Sequence, residues 1–352
     1  MSESKRGFME SSMVQLTLVR FREFTRQPEA VFWTFVFPIL LAVGLGLAFR
    51  SKAPDKSKIG IVTSTPAAAS IAASLKKDPA LIVEEMTDSA GARALRTGKV
   101  ALLVVPDGNA VRYVYDPQRN EAAFARLQTD RAIQAAAGRV DPVKVTERRV
   151  TERGSRYIDF VIPGLLGMNL MGSGVWGIGF AIVDSRGKRL LKRFMATPMS
   201  RTEYLMSFLF SRLFFLILEV ITLLGFGAFA FGVPLRGSLI QLGVICLLSA
   251  LSFSALGLLI ASRAKTVEGV SGLMNFVMMP MWIFSGVFFS SSNFPKVVQP
   301  IIKALPLTAV NDALRANMLE GTQITALGLE MAVIMGWLVV SFVLALKLFR
   351  WR

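Results

Sequence analysis

The stretch that decides the fold runs FVIPGLLGMNLMGSGVWGIGFAIVDSRGKRLLKRFMATPMSR, residues 160–201. Its first part, Phe160 to Val183, carries no charged side chain and is long enough, at roughly 20 residues per 30 Å of hydrocarbon, to cross a bilayer as a helix. Its second part reverses this abruptly: residues 186–201 place six basic side chains in sixteen positions. Apolar runs of similar length recur on both sides, at Val31–Phe49, Tyr204–Phe231, Gly237–Ser262, Gly269–Ser290 and Leu327–Leu346. Over the 352 residues, 53% are hydrophobic and 18% charged, with a mean hydropathy of +0.52. Such a balance is too apolar for a soluble domain of this size. The expected architecture is an α-helical polytopic membrane protein with six transmembrane helices.

Charge sets the orientation. With the N-terminus inside, the short inner segments hold sixteen Lys and Arg (five before the first span, six in 184–203, two at Arg263 and Lys265, three after Leu346), against four outside, Arg236, Lys296, Lys303 and Arg315. The positive-inside rule then puts both termini in the cytoplasm, in a cell (inner) membrane. The first run begins thirty residues in, lacks a small-residue cleavage pattern and is expected to stay as an anchor. Residues 1–30 form a cytoplasmic segment in which Met13 to Phe24 reads as an amphipathic helix in contact with membrane lipids. Residues 50–158 alternate strand-like runs (KIGIVTS, LIVEEMT, VALLVVPDG, AVRYVYDP) with helical ones, the pattern of a small α/β extracytoplasmic domain between the first and second spans. Residues 159–352 carry the remaining spans, with a cytoplasmic loop at 184–203 and an extracytoplasmic interfacial hairpin at 291–326.

Several chemistries are excluded. The chain has no histidine and one cysteine, Cys246, which removes histidine and cysteine-cluster metal sites and histidine-assisted nucleophiles. Gly98-Lys99 and Gly187-Lys188 lack the Ser or Thr of the phosphate-cradling loop G-x-x-x-x-G-K-[ST], so the chain binds no ATP by that route. No catalytic residue is assigned. Polar groups at membrane depth remain: Asn169, Ser173, Glu219 and Asn275 line a path or bond between helices. Arg212 is expected to snorkel to the cytoplasm. Ser173, Gly177 and Ala181 stand at small-xxx-small spacing, a place for close helix approach and for a dimer seam.

In the charged loop, Leu190, Leu191, Phe194 and Met195 form an apolar stripe at helical spacing, rimmed by Lys188, Arg189, Lys192 and Arg193. Gly187 precedes this helix, and Thr197-Pro198 breaks it. Ser200 with Glu203 then makes a capping box that starts the next helix. Such a surface suits a protein groove or the lipid interface better than nucleic acid.

The loop RGKRLLKRFMATPMSRTEYL resembles the signature after the second span of permease subunits of type-2 ATP-binding-cassette exporters. The run ASRAKTVEGVSGLMNFVMMPMWIFSGVFFSSSNFPKVVQPIIKALPLTAVNDALRANMLEG resembles that family's fifth span, Ser-Gly-x-Phe-Phe turn and Leu-Pro-Leu-Thr segment. The loop opens Asp184-Ser185-Arg186, where the family often has a glutamate-rich run. The resemblance implies a coupling helix, Gly187 to Pro198, that docks into a cytoplasmic ATPase dimer holding ATP and magnesium. It also implies a second permease copy or paralogue, and a path between permeases for a drug, lipid or glycan. The chain would then bind no cofactor and catalyse no reaction itself. Two other readings stay open: a membrane-anchored receptor or scaffold with an outside binding domain, and a proton-coupled transporter using Glu219.

Overall fold

A computed structural model describes residues 12–49, 56–63, 66–107, 110–139, 154–187, 201–264 and 266–348. The chain forms two compact units, residues 51–149 and the remainder.

The larger unit is helical. Helix α1 (Ser12–Thr25) precedes α2 (Pro28–Ala48), and six helices, α2 among them, are long and apolar enough to cross a membrane. The other five are α6 (Tyr157–Gly187), α7 (Arg201–Phe231), α8 (Leu239–Ala261), α9 (Val267–Phe284) and α12 (Gly328–Leu348). Expected and observed spans coincide within a few residues except at the end of the fifth. The apolar run continues to Ser290, but the helix stops at Phe284 because Gly286 takes a left-handed φ of 70° and turns the chain.

Helix starts are set by polar groups that satisfy free backbone N–H donors. At the head of α6, the Asp159 carboxylate accepts from the N–H groups of Gly154 (2.9 Å) and Arg156 (3.1 Å) and pairs with the Arg156 guanidinium at 2.7 Å. That bond to Asp159 raises the pKa of Arg156 above its ordinary value. At the head of α9, Thr266 Oγ1 accepts from the N–H of Gly269 at 3.1 Å.

The core of this unit is the pair α6–α8, the two most buried spans. Close approach is built from glycine: a Cβ at Gly257 would lie 2.6 Å from the Val175 carbonyl oxygen, and one at Gly174 would lie 2.8 Å from Phe253 Cβ. Gly174 and Gly257 thus bring α6 and α8 together, whereas Gly177 is exposed and faces open space. Between the fifth and sixth spans lie α10 (Gln299–Ala304) and α11 (Pro306–Arg315). Helix α11 is enclosed by its neighbours: Leu307, Val310, Asn311, Ala313 and Leu314 are fully buried against α6, α8 and α12. Its polarity hid this in the sequence, but Asn311 is paired, donating to the Ser285 carbonyl at 2.8 Å. Arg315 ties the same helix to its neighbours. It donates to the carbonyls of Gly286 and Phe160 and stacks 3.7 Å over the Phe160 ring.

The smaller unit is a four-stranded mixed sheet in the order β2-β1-β3-β4, with β1 Ser57–Val62, β2 Leu81–Met86, β3 Leu102–Asp107 and β4 Ala110–Val114. Strands β1, β2 and β3 are parallel and β4 is antiparallel to β3. Its core lies on one face, where Ile59, Ile61, Leu102 and Val104 pack under α3 (Pro66–Leu75) and α5 (Asn120–Ala136). The opposite face carries one helix, α4 (Asp88–Arg96), seated on β1 and β3.

Candidate functional site

Two features of α6 and α7 position the site. Each helix is 31 residues long, about 46 Å at 1.5 Å per residue, against a hydrocarbon core of about 30 Å. The apolar part of α6 ends at Val183 and the sequence of α7 turns apolar at Tyr204, so both helices run on toward one connection, residues 188–200.

Within their apolar part, three side chains tie the two helices together. Ser173 of α6 donates from Oγ to Glu219 Oε2 of α7 at 2.9 Å. Arg212, two helical turns before Glu219, reaches its Oε1 at 3.0 Å and the Ser173 hydroxyl at 2.8 Å. The pair is deep, with side-chain exposures of 13% for Arg212 and 1% for Glu219. A carboxylate at this depth is strongly unfavourable alone and is held by a charge partner with satisfied hydrogen bonds. Arg212 thus turns inward to Glu219 instead of snorkelling, because a buried carboxylate lies within its reach.

The other sequence-selected residues divide. Asn169, buried one turn before Ser173, donates from Nδ2 to the Thr34 carbonyl of α2 at 3.0 Å, and its own carbonyl accepts from Ser173 at 2.7 Å. The site therefore gathers the first, second and third spans. Asn275 stands outside this group, exposed on α9 beside exposed Phe276 and Met279. Gly187 is the last residue of α6 and is exposed. Lys188, Arg189, Leu190, Leu191, Lys192, Arg193, Phe194, Met195, Thr197, Pro198 and Ser200 lie outside the described residues.

Helix α1 packs at the same level. Phe21 meets Phe214 edge to face at 5.2 Å, and Phe24 meets Phe215 at 4.3 Å, two or three residues beyond Arg212. Arg212 itself escaped sequence reading as a partner of Glu219 because a seven-residue spacing is not one of the short helical pairings. The signal was present: two turns of helix return to one face, and an unpaired acid at that depth requires a base.

Six candidate membrane spans with a small domain after the first, and two long helices joined by one basic connection, define the class as a polytopic membrane protein. The comparison with known families is specific: the model of the ABC-2 family transporter protein matches residues 29–348, and the chain belongs to that family as a permease subunit. Among curated proteins it is similar to the probable multidrug ABC transporter permease YbhS of Escherichia coli (strain K12) and to its counterpart in Escherichia coli O157:H7. Each is 25% identical over 163 residues, which is 46% of this chain and 43% of the relative. The match thus spans less than half the length of these curated relatives.

Proposed function

We infer that the chain is the permease of an ATP-driven exporter for hydrophobic or amphiphilic compounds, working as a pair of permeases on a separate cytoplasmic ATPase dimer that holds the ATP and magnesium. The observation that carries this reading is the Ser173–Arg212–Glu219 group, which fastens together, within their apolar part, the two helices that flank residues 188–200. Helices joined at that point move as one lever, so a displacement of the loop by ATP-driven closure of the partner would reach the membrane undissipated. Leu190, Leu191, Phe194 and Met195 would seat in the ATPase, with Lys188, Arg189, Lys192 and Arg193 steering the approach. Gly187 and Thr197-Pro198 would set the angles at either end.

A second copy has a surface to meet. The face of α9 with Leu273, Asn275, Phe276 and Met279 is exposed, and a polar Asn275 at membrane depth calls for a partner or a path. The amphiphile class is supported by the apolar character of the spans and by the relative's designation as a multidrug permease. Against the proton-coupled alternative stands the fixed place of Glu219, tied to Arg212 at 3.0 Å and to Ser173 at 2.9 Å as part of the helix packing.

The test is co-expression with an ATPase of the same class. Leu191→Asp is expected to abolish co-purification while membrane insertion persists; retained co-purification refutes the docking assignment. Transport in vesicles that follows an imposed pH gradient and ignores ATP would overturn the exporter reading.

A further inference from the structure

The outside domain holds a cleft that its fold leaves open. A helix covers about 10 Å of sheet, roughly two strands, and α4 sits on β1 and β3. Its seat is close, since a Cβ at Gly91 would come 2.6 Å from Leu103 Cδ1. Among the described residues no helix is seated on strand β4 on this face. Between α4 and β4 runs a cavity of about 710 Å³, within the range of small-molecule sites.

The antiparallel register builds its floor, pairing Leu103 with Val114 and Val105 with Arg112. Val62 extends the floor along β1, and Val114 is 39% exposed, an apolar side chain with nothing upon it. Thr63 and Thr87, just past the carboxyl ends of β1 and β2, line the far end.

The rim is polar, with Asp88, Arg96 and Arg112. Asp88 lies in the first turn of α4, where the helix dipole favours its charge. Arg112 is paired with Asp107 at 2.9 Å, but both side chains are more than half exposed, so opening that pair costs little. Arg96 donates from Nε to its own helix at the Ala92 carbonyl, 3.3 Å away, and has no ion pair among the described residues. An apolar floor with guanidinium groups at its edge has the polarity of an amphiphile's complement, chain on the floor and anion on the rim.

We propose that this cleft binds an amphiphile with a single anionic group, phosphate or carboxylate, its chain on Val62, Leu103, Val105 and Val114 and its head at Arg96 and Arg112. The proposal deepens the exporter reading, on which it rests only for the ligand being cargo. Binding is measured without the ATPase subunit, so its failure and that of the exporter reading are separate results.

The experiment uses the full chain in lipid nanodiscs with Val114→Cys carrying a polarity-sensitive fluorophore; the native Cys246 is buried and does not compete for the label. Dodecyl phosphate is expected to give a saturable blue shift. Inorganic phosphate is expected to give none, and dodecyl maltoside a response at least tenfold weaker. Arg96→Gln with Arg112→Gln is expected to weaken dodecyl phosphate at least tenfold, with recovery in the Arg96→Lys, Arg112→Lys pair. Val105→Trp fills the cleft without changing its charge and is expected to abolish the shift. The label at Gln134→Cys, on exposed α5, is expected to stay silent. An equal shift there, an unaltered affinity in the glutamine pair, or equal binding of dodecyl maltoside overturns the proposal.

Discussion

Replacing Arg212 with Met removes one side of the buried ion pair in the membrane unit. In the native protein Arg212 and Glu219 stand 3.0 Å apart, and the Ser173 hydroxyl bridges them at 2.8 and 2.9 Å. At an effective dielectric of about 20 the gross attraction is about 5 kcal/mol, and desolvation of both groups offsets much of it. What remains on deleting one partner is the cost of an uncompensated buried carboxylate, about 3–5 kcal/mol. Arg212→Met is therefore expected to destabilise the unit by that amount, and Glu219→Leu by a comparable one. The double variant removes both charges and is expected to lie within about 1 kcal/mol of the native protein, a coupling of several kcal/mol. Detergent unfolding followed by the fluorescence of the membrane tryptophans reads all four corners of the cycle. A double variant that loses the sum of the two single losses, with coupling under about 0.5 kcal/mol, refutes the pairing. The stable double variant also separates support from transmission: with the lever untied, the complex is expected to hydrolyse ATP while transport falls at least tenfold.

Other outcomes follow from the same geometry. Gly257→Ala puts a methyl group 2.6 Å from the Val175 carbonyl, backbone that cannot give way, and is expected to cost about 1–3 kcal/mol, read as a lower unfolding midpoint. Asn275→Cys is expected to crosslink two chains in oxidised membranes, since that face of α9 is assigned to the second copy; a monomer under those conditions contradicts the assignment. In the smaller unit, burial and then the neighbouring Asp130 push the Tyr113 hydroxyl up to about 12, and it donates to Asp130 at 3.2 Å. The unfolded chain ionises this group near its ordinary value of 10.0, so its contribution to stability is complete below pH 10 and lost as pH rises toward 12. Tyr113→Phe is expected to flatten the stability curve over that window, measured by circular dichroism.

The spans were legible because a bilayer makes one demand on sequence, an uninterrupted apolar length, and the outside sheet because its strands alternate with helical runs. Helix α11 was not legible as core. Thr308 and Asn311 lower its apolarity, and only the tertiary contacts show both side chains enclosed. The glycine pattern of the second span announced close packing but not which glycines perform it: Gly174 meets the fourth span, while Gly177, at the more regular spacing, faces away. Glu219 and Ser173 were visible as polar groups in apolar surroundings. The contact of Ser173 with Glu219 was not, because it joins two helices whose relative rotation no local pattern specifies, whereas Arg212 and Glu219 share one face of α7 two turns apart. The cleft over β4 is of the same kind, an emptiness left by one helix on a four-stranded face.

The most direct measurement is purification of the chain with a co-expressed ATPase subunit of its class, followed by reconstitution and transport of a fluorescent amphiphile. The account predicts two copies of each subunit, uptake into inside-out vesicles that requires ATP, and loss of both with Leu191→Asp. A chain that purifies without a nucleotide-hydrolysing partner, or moves the amphiphile at the same rate with and without ATP, contradicts it.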